Sequence, residues 1–236
     1  MNYTKINVLG TRGEVESSTP YHSHHSGILL DDILLLDLGE KEFLNYSPEY
    51  VFITHLHPDH AFFVRKSYKK PVNFSIPVYA PERYESNSNI KLVKKKMAVG
   101  SYVIQSIPTH HSKKVASTAF LIQHSGQHIL YTGDLVWINK EYHHLFNQVD
   151  LVITEASFIR KGGRIIKDKQ SGKLYGHAGI PNLIGLFKDH TSRILFVHFG
   201  EWFYADIPQA RKKLNELGKQ NNIQIIVGFD GMNLDI

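Results

Sequence analysis

The segment Thr54-His55-Leu56-His57-Pro58-Asp59-His60 puts four side chains able to bind a metal within six residues, directly after an apolar run. On an extended strand His55 and His57 share a face, and Pro58 breaks the strand so that Asp59 and His60 turn inward. Neutral imidazole and carboxylate are the ligands zinc accepts when thiolate is missing. This chain has fifteen histidines and no cysteine in 236 residues. Disulfides, cysteine-based zinc sites and thiol catalysis are thereby excluded. One short segment cannot fill two metal shells, so distant ligands are required. Candidates stand where other apolar runs end: His110-His111-Ser112 after 102–107, Gly133-Asp134 after 128–132, and His198 after 194–197.

The elements that must deliver these residues are short. Runs at 6–9, 27–30, 33–36, 49–53, 77–80, 102–107, 117–124, 128–132, 151–154, 194–197 and 223–227 read as strands, with turns at Asp31-Asp32 and Ser125-Gly126. Helices are expected over 59–68, from Pro81 onward, over 180–188 and over 208–217. Lys91, Lys94, Lys95 and Lys96 have the spacing of a solvated helix face. No Pro/Gly/Ser-rich linker divides the chain, so one domain over 1–236 is expected, of α+β class, with packed sheets and helices outside. A hydrophobic share of 42% and a charged share of 21% allow a large core. The net charge of +5 points to an anionic partner or merely to a solvated surface. No apolar run approaches the ~20 residues that span a bilayer, and the start of the sequence lacks a secretory pattern. A cytoplasmic protein without membrane contact is expected, with a symmetric homodimer as the default assembly.

With the later strand-end residues, the HxHxDH segment resembles the metallo-β-lactamase superfamily. Val8-Leu9-Gly10-Thr11, Leu36-Asp37-Leu38-Gly39, Tyr131-Thr132-Gly133-Asp134 and Leu195-Phe196-Val197-His198-Phe199 follow in that family's order. The resemblance implies a four-layered αβ/βα sandwich of two mixed β-sheets flanked by helices. It implies two divalent ions, zinc first, though manganese and iron also accept His/Asp shells. His55, His57 and His111 would hold one ion, and Asp59, His60 and His198 the other, with Asp134 and a hydroxide bridging them. His110 competes with His111, which Ser112 favours. Asp37 resembles an acid that steadies the ligand loop.

Within the superfamily, Asp134 as the bridging residue resembles the dinuclear hydrolases. Thr154-Glu155-Ala156-Ser157 and Gly176-His177-Ala178-Gly179 partly resemble two motifs of the tRNA 3′-processing endonucleases (tRNase Z). The resemblance gives His177 a part in the phosphate chemistry, where it would protonate the leaving oxygen or neutralise transition-state charge. Glu155 would orient His177 or serve only as a buried acid at the strand end, and Asp59 would orient the attacking hydroxide. Ser157 and Gly179 depart from those motifs. The interval between His111 and Asp134 holds one hairpin, with no room for a tRNA-gripping arm. The compact form, with Gly228-Phe229-Asp230-Gly231-Met232 near its end, resembles the cyclic-phosphate phosphodiesterase of phosphonate catabolism, without that relative's cysteine-rich zinc site. The expected substrate is a small cyclic phosphate, a nucleotide or a flexible nucleic acid. Lactone or ester hydrolysis at the same site and a tRNase Z-like endoribonuclease are the alternatives. Arg160, Lys161, Arg164, Lys167, Lys169 and Lys173 form a basic loop that either attracts phosphate or is simply solvated. Trp202, Phe203 and Tyr204 line a pocket or fill the core. His22, His24 and His25 have no assigned role.

Overall fold

In a computed structural model, residues 3–68, 70–85 and 89–236 are described. The chain opens with strands β1 (Lys5–Gly10), β2 (Gly27–Leu30), β3 (Leu34–Leu36), β4 (Tyr50–Phe52), β5 (Val78–Ala80) and β6 (Ile90–Leu92). It continues with β7 (Lys96–Val99), β8 (Tyr102–His110), β9 (Thr118–His124), β10 (Gln127–Tyr131), β11 (Trp137–Ile138) and β12 (Leu151–Ala156). A small hairpin, β13 (Arg164–Lys167) and β14 (Leu174–His177), precedes helix α1 (Ile180–Phe187) and strand β15 (Arg193–Phe199). Helices α2 (Glu201–Tyr204) and α3 (Ile207–Gln220) lead to β16 (Gln224–Val227) and β17 (Met232–Asp235).

Two mixed sheets result. The first runs β17-β1-β2-β3-β4-β5-β6, and the second runs β11-β8-β9-β10-β12-β15-β16 with β7 beside β8. Each contains an antiparallel meander (β1 to β3, β8 to β10) followed by three parallel strands. Asp31 and Asp32 take φ 51° and 59° in the three-residue β2–β3 turn, left-handed values that aspartate tolerates better than most residues. Between the sheets lies an apolar layer that includes Phe52, Tyr102, Phe120, Tyr131 and Leu195. Burying each such side chain contributes roughly 1.5–3 kcal/mol. The outer face of the second sheet is covered by α1 and α3, which bury Leu183, Phe187, Ala210 and Leu214. Asp206 caps α3 by accepting from Gln209 N at 3.0 Å, an arrangement worth about 1 kcal/mol.

Four expectations are corrected. The segment 59–68 is not an α-helix but a turn followed by a short 3-10 helix, Phe62–Val64. Leu38 N donates to His60 O and Phe62 N to Leu38 O, so backbone groups that a helix would use internally are bonded to the Leu38 segment. From Pro81, residues 81–85 bend and turn without forming a helix, and residues 86–88 lie outside the described ones. Lys91 and Lys96 lie on strands β6 and β7, with Lys94 and Lys95 between them. Strand β6 is an edge of its sheet, where lysines hinder pairing with another chain. The basic segment from Arg160 to Lys173 is no simple loop, because β13 and the turn to β14 occupy most of it. Among the described residues no helix is long and apolar enough to cross a membrane.

Candidate metal centre

Both sheets finish their strands at a common edge, and the ligand-type residues collect there. Strand β4 runs into His55, β8 into His111, β10 into Asp134 and β12 into Glu155 within its last turns. His198 is the extra residue of a bulge in β15, where the register shifts between Glu155↔Val197 and Ala156↔Phe199. It takes φ +52°, which turns its ring inward. Two groups of side chains form around one carboxylate: His55, His57, His111 and Asp134, then Asp59, His60, Asp134 and His198. Within each group the ligand atoms lie within 4.8 Å of one another. His110 points away and bonds Asn139 Oδ1 at 2.8 Å, because successive residues on a strand face opposite sides.

The outer nitrogens of these imidazoles are engaged, which turns their lone pairs inward. His60 Nδ1 donates to Asp37 Oδ2 at 2.7 Å, and His111 Nδ1 to Gly176 O at 2.9 Å. His55 Nδ1 meets Thr54 Oγ1 at 3.0 Å, whose own proton goes to Asp37. His198 Nδ1 lies 3.1 Å from Ser157 Oγ. Asp37, fully buried at φ +60°, also accepts from Thr54 N and Tyr131 OH, each at 2.7 Å. Inside the cluster, His57 Nδ1 stands 3.1 Å from both His55 Nε2 and His111 Nε2. Asp134 Oδ1 lies 3.2 Å from His60 Nε2 and 3.3 Å from His198 Nε2, yet is buried without a hydrogen-bond partner. Converging lone pairs around an orphaned carboxylate oxygen fit a divalent cation.

Electrostatics agree. Burial, reinforced by neighbouring histidines, holds His55 well below its usual range and His57 at about 4, the neutral form a ligand needs. Burial also works against protonation of His60 and His198, but Asp134 overrides it with Asp59 and raises both. The carboxylates around them therefore demand positive charge.

Beside the cluster, Glu155 accepts from Leu135 N at 2.7 Å and from His177 Nδ1 at 2.8 Å. Burial would depress His177, but the Glu155 and Asp134 carboxylates hold it up at about 9. His57, Asp59, Asp134, His177 and His198 open onto a cleft of about 400 Å³. Phe158, Arg164, Glu14, Val15, Glu201 and Trp202 also line it. Glu201 accepts from Glu16 N and from Ser17 Oγ, which ties the segment after Val15 to α2. Trp202 lines the cleft with its Nε1 donating to Ala156 O at 2.8 Å. Phe203 is core, stacked on Phe199, and Tyr204 donates to His22 O.

Sequence reasoning missed Arg65 and the remaining histidines. Arg65 donates from Nε to Pro58 O at 3.0 Å, from NH2 to Gly39 O, and from NH1 to Glu40 at 2.9 Å. His25 completes that brace through Glu40. His22, buried against Phe199 and Phe203, bonds Thr11 Oγ1, while Asp230 accepts from Thr11 Oγ1, Ser23 N and His24 N. Nothing in the sequence spacing signals these partners, since they lie up to 219 positions apart.

A family model described as a beta-lactamase superfamily domain matches residues 45–199, more than half of the chain. The chain belongs to the beta-lactamase superfamily. Among solved structures this superfamily member is similar to the metallo-beta-lactamase fold protein YhfI from Bacillus subtilis, at TM-score 0.71 and 18% identity over all of both chains. A diphosphatase of the PhnP family aligns at TM-score 0.68 and 14% identity, over 100% of this chain and 98% of that one. The short form of human tRNase Z aligns at TM-score 0.62 and 17% identity, over 98% of each. At these identities the likeness speaks for the fold. No curated protein matches the sequence.

Proposed function

We propose that the chain is a single metal-dependent hydrolase domain over residues 1–236 that cleaves a small or flexible phosphodiester. Zinc is the first choice for its two ions, with His55, His57 and His111 around one, Asp59, His60 and His198 around the other, and Asp134 between them. The observation that carries the reading is the Glu155–His177 pair beside Asp134. Glu155 occupies Nδ1 of His177, leaving Nε2 as the nitrogen available to a leaving oxygen in the cleft. When bound, such ions lower the pKa of water and polarise phosphoryl oxygens. Asp59 orients the attacking water, and His177 protonates the departing alkoxide. Glu155 keeps the His177 ring in one tautomer through a charge-assisted hydrogen bond.

A small diester suits the compact second sheet, because β9 and β10 form a plain hairpin between His111 and Asp134. Ester or lactone hydrolysis is the second reading, supported by the apolar Phe158, Val15 and Trp202 in the cleft wall. Turnover of bis(p-nitrophenyl) phosphate is compared with a lactone and thioester panel, using wild type and His177→Ala. The proposal expects diester cleavage that falls in the variant. Lactone turnover without diester cleavage would overturn it.

A further inference from the structure

The β13–β14 hairpin carries Arg164, Lys167, Lys169 and Lys173, and these cations are not equivalent. Arg164 and His177 are register partners across the ribbon, and both line the cleft. Directly opposed residues present their side chains on one face of a strand pair, about 5 Å apart at Cβ. Arg164 is the only Lys or Arg among the cleft-lining residues. It is exposed at the cleft mouth, and its guanidinium makes no hydrogen bond or ion pair among the described residues.

The root of the hairpin is fixed. Gly176 N donates to His111 O at 2.7 Å, Ala178 N to Leu135 O at 2.8 Å, and Ile180 N to Phe158 O at 2.8 Å. Gly163, at φ +55°, packs so closely that a Cβ there would stand 2.4 Å from His177 O. Arg164 follows directly. The other cations lie elsewhere: Lys167 pairs with Leu174 at the far end, and Arg160 lies over the Phe158 ring at 6.0 Å. At the tip, Asp168 is bonded to Lys113 at 3.0 Å.

We propose that Arg164 is the phosphate-binding residue of this cleft, its guanidinium taking two non-bridging oxygens of a phosphoryl group that reaches the Asp134 cluster. A planar fork matches that oxygen pair, and a lysine at the same place supplies only a point charge. Glu14 and Glu201, which also line the cleft, disfavour an anion beside them, and Arg164 is the lining cation that attracts one. The inference rests on the phosphodiesterase reading for its place in the reaction, but phosphate binding is testable without turnover.

Metal-loaded wild type, Arg164→Ala, Arg164→Lys and Lys167→Ala are titrated calorimetrically with inorganic phosphate and with phenyl phosphate, with metal content checked in each. Arg164→Ala is expected to weaken both ligands about tenfold or more, Arg164→Lys to recover part of the loss, and Lys167→Ala to bind within about twofold of wild type. Wild-type binding retained in Arg164→Ala at equal metal content overturns the assignment. Equal weakening in Lys167→Ala, or no phosphate binding by wild type, does so too. Phosphate held through Arg164 without diester turnover would instead retire the phosphodiesterase reading and leave this one standing.

Discussion

The two sheets share one strand pattern but supply the site in opposite ways. After β4 the first sheet delivers His55, His57, Asp59 and His60 from one unbroken segment, whereas the second sheet contributes His111, Asp134 and His198 from three separate strands. A segment that holds four ligands is steadied from outside, by Asp37 on His60 and by Arg65 on Pro58 O. The dispersed residues take their backbone positions from the sheet, with a bulge at His198, and their rings are held from outside it, His111 by Gly176 O of the β13–β14 hairpin and His198 by Ser157 Oγ. The clustered segment needs braces for its backbone as well, whereas the dispersed residues need them only for their rings.

Asp134 is the residue on which the contrast breaks most completely, because it belongs to both groups. Asp134→Ala is expected to lose both ions and to fall to about a thousandth of wild-type activity or less, read by metal analysis and turnover together. Full metal content in that variant would refute the bridging assignment. His177→Ala comes next, with metal retained and the rate reduced about a hundredfold, as for loss of a general acid.

Bracing is tested by Asp37→Asn, which keeps the shape but weakens the acceptor for His60 Nδ1. Metal affinity is expected to drop roughly tenfold or more in a competitive chelator titration, the usual scale for such supporting groups. The far side of the ligand loop responds to pH. Burial opposes ionisation of Glu40, but hydrogen bonds from His25 and Arg65 hold it at about 2. Its folded pKa lies below the unfolded value, so this stabilisation is complete above about pH 4.5 and lost as pH falls toward 2. The size is on the order of 2–3 kcal/mol. Chemical denaturation at pH 7 and pH 3 should show that loss in wild type and a much smaller one in Glu40→Gln. Tyr131→Phe should be mildest, at about 1 kcal/mol for one hydrogen bond to Asp37, since Thr54 and His60 still satisfy the carboxylate.

The same contrast sets what could be read in the sequence. The grouping of the 54–60 side chains is legible because they are neighbours, and the approach of Asp134 and His198 to them because apolar runs precede both. The parallel strand–helix alternation around α1 and α3 was equally plain. Arg65 was illegible because its partners, Gly39 O and Pro58 O, are backbone atoms that no residue type announces. The 59–68 helix failed for a related reason: helix-favouring charges at its ends were outweighed by bonds to Leu38 that only the folded sheet supplies. β13 was hidden because Ile165 and Ile166 sit among cations and pack on no core. Strand β17 was missed because Asn233 and Asp235 resemble a loop, though their partners on β1 complete the first sheet.

The bond between Gly176 and His111 also bears on traffic through the cleft. Because β14 both receives the proton of His111 Nδ1 and donates to His111 O, lifting the hairpin would strip His111 of both partners. The segment at Glu16 and Ser17 is instead fastened to Glu201 by exposed hydrogen bonds that water can replace at little cost. Of the two, it is the part of the cleft surround that can yield cheaply, while the hairpin that carries His177 is held in place.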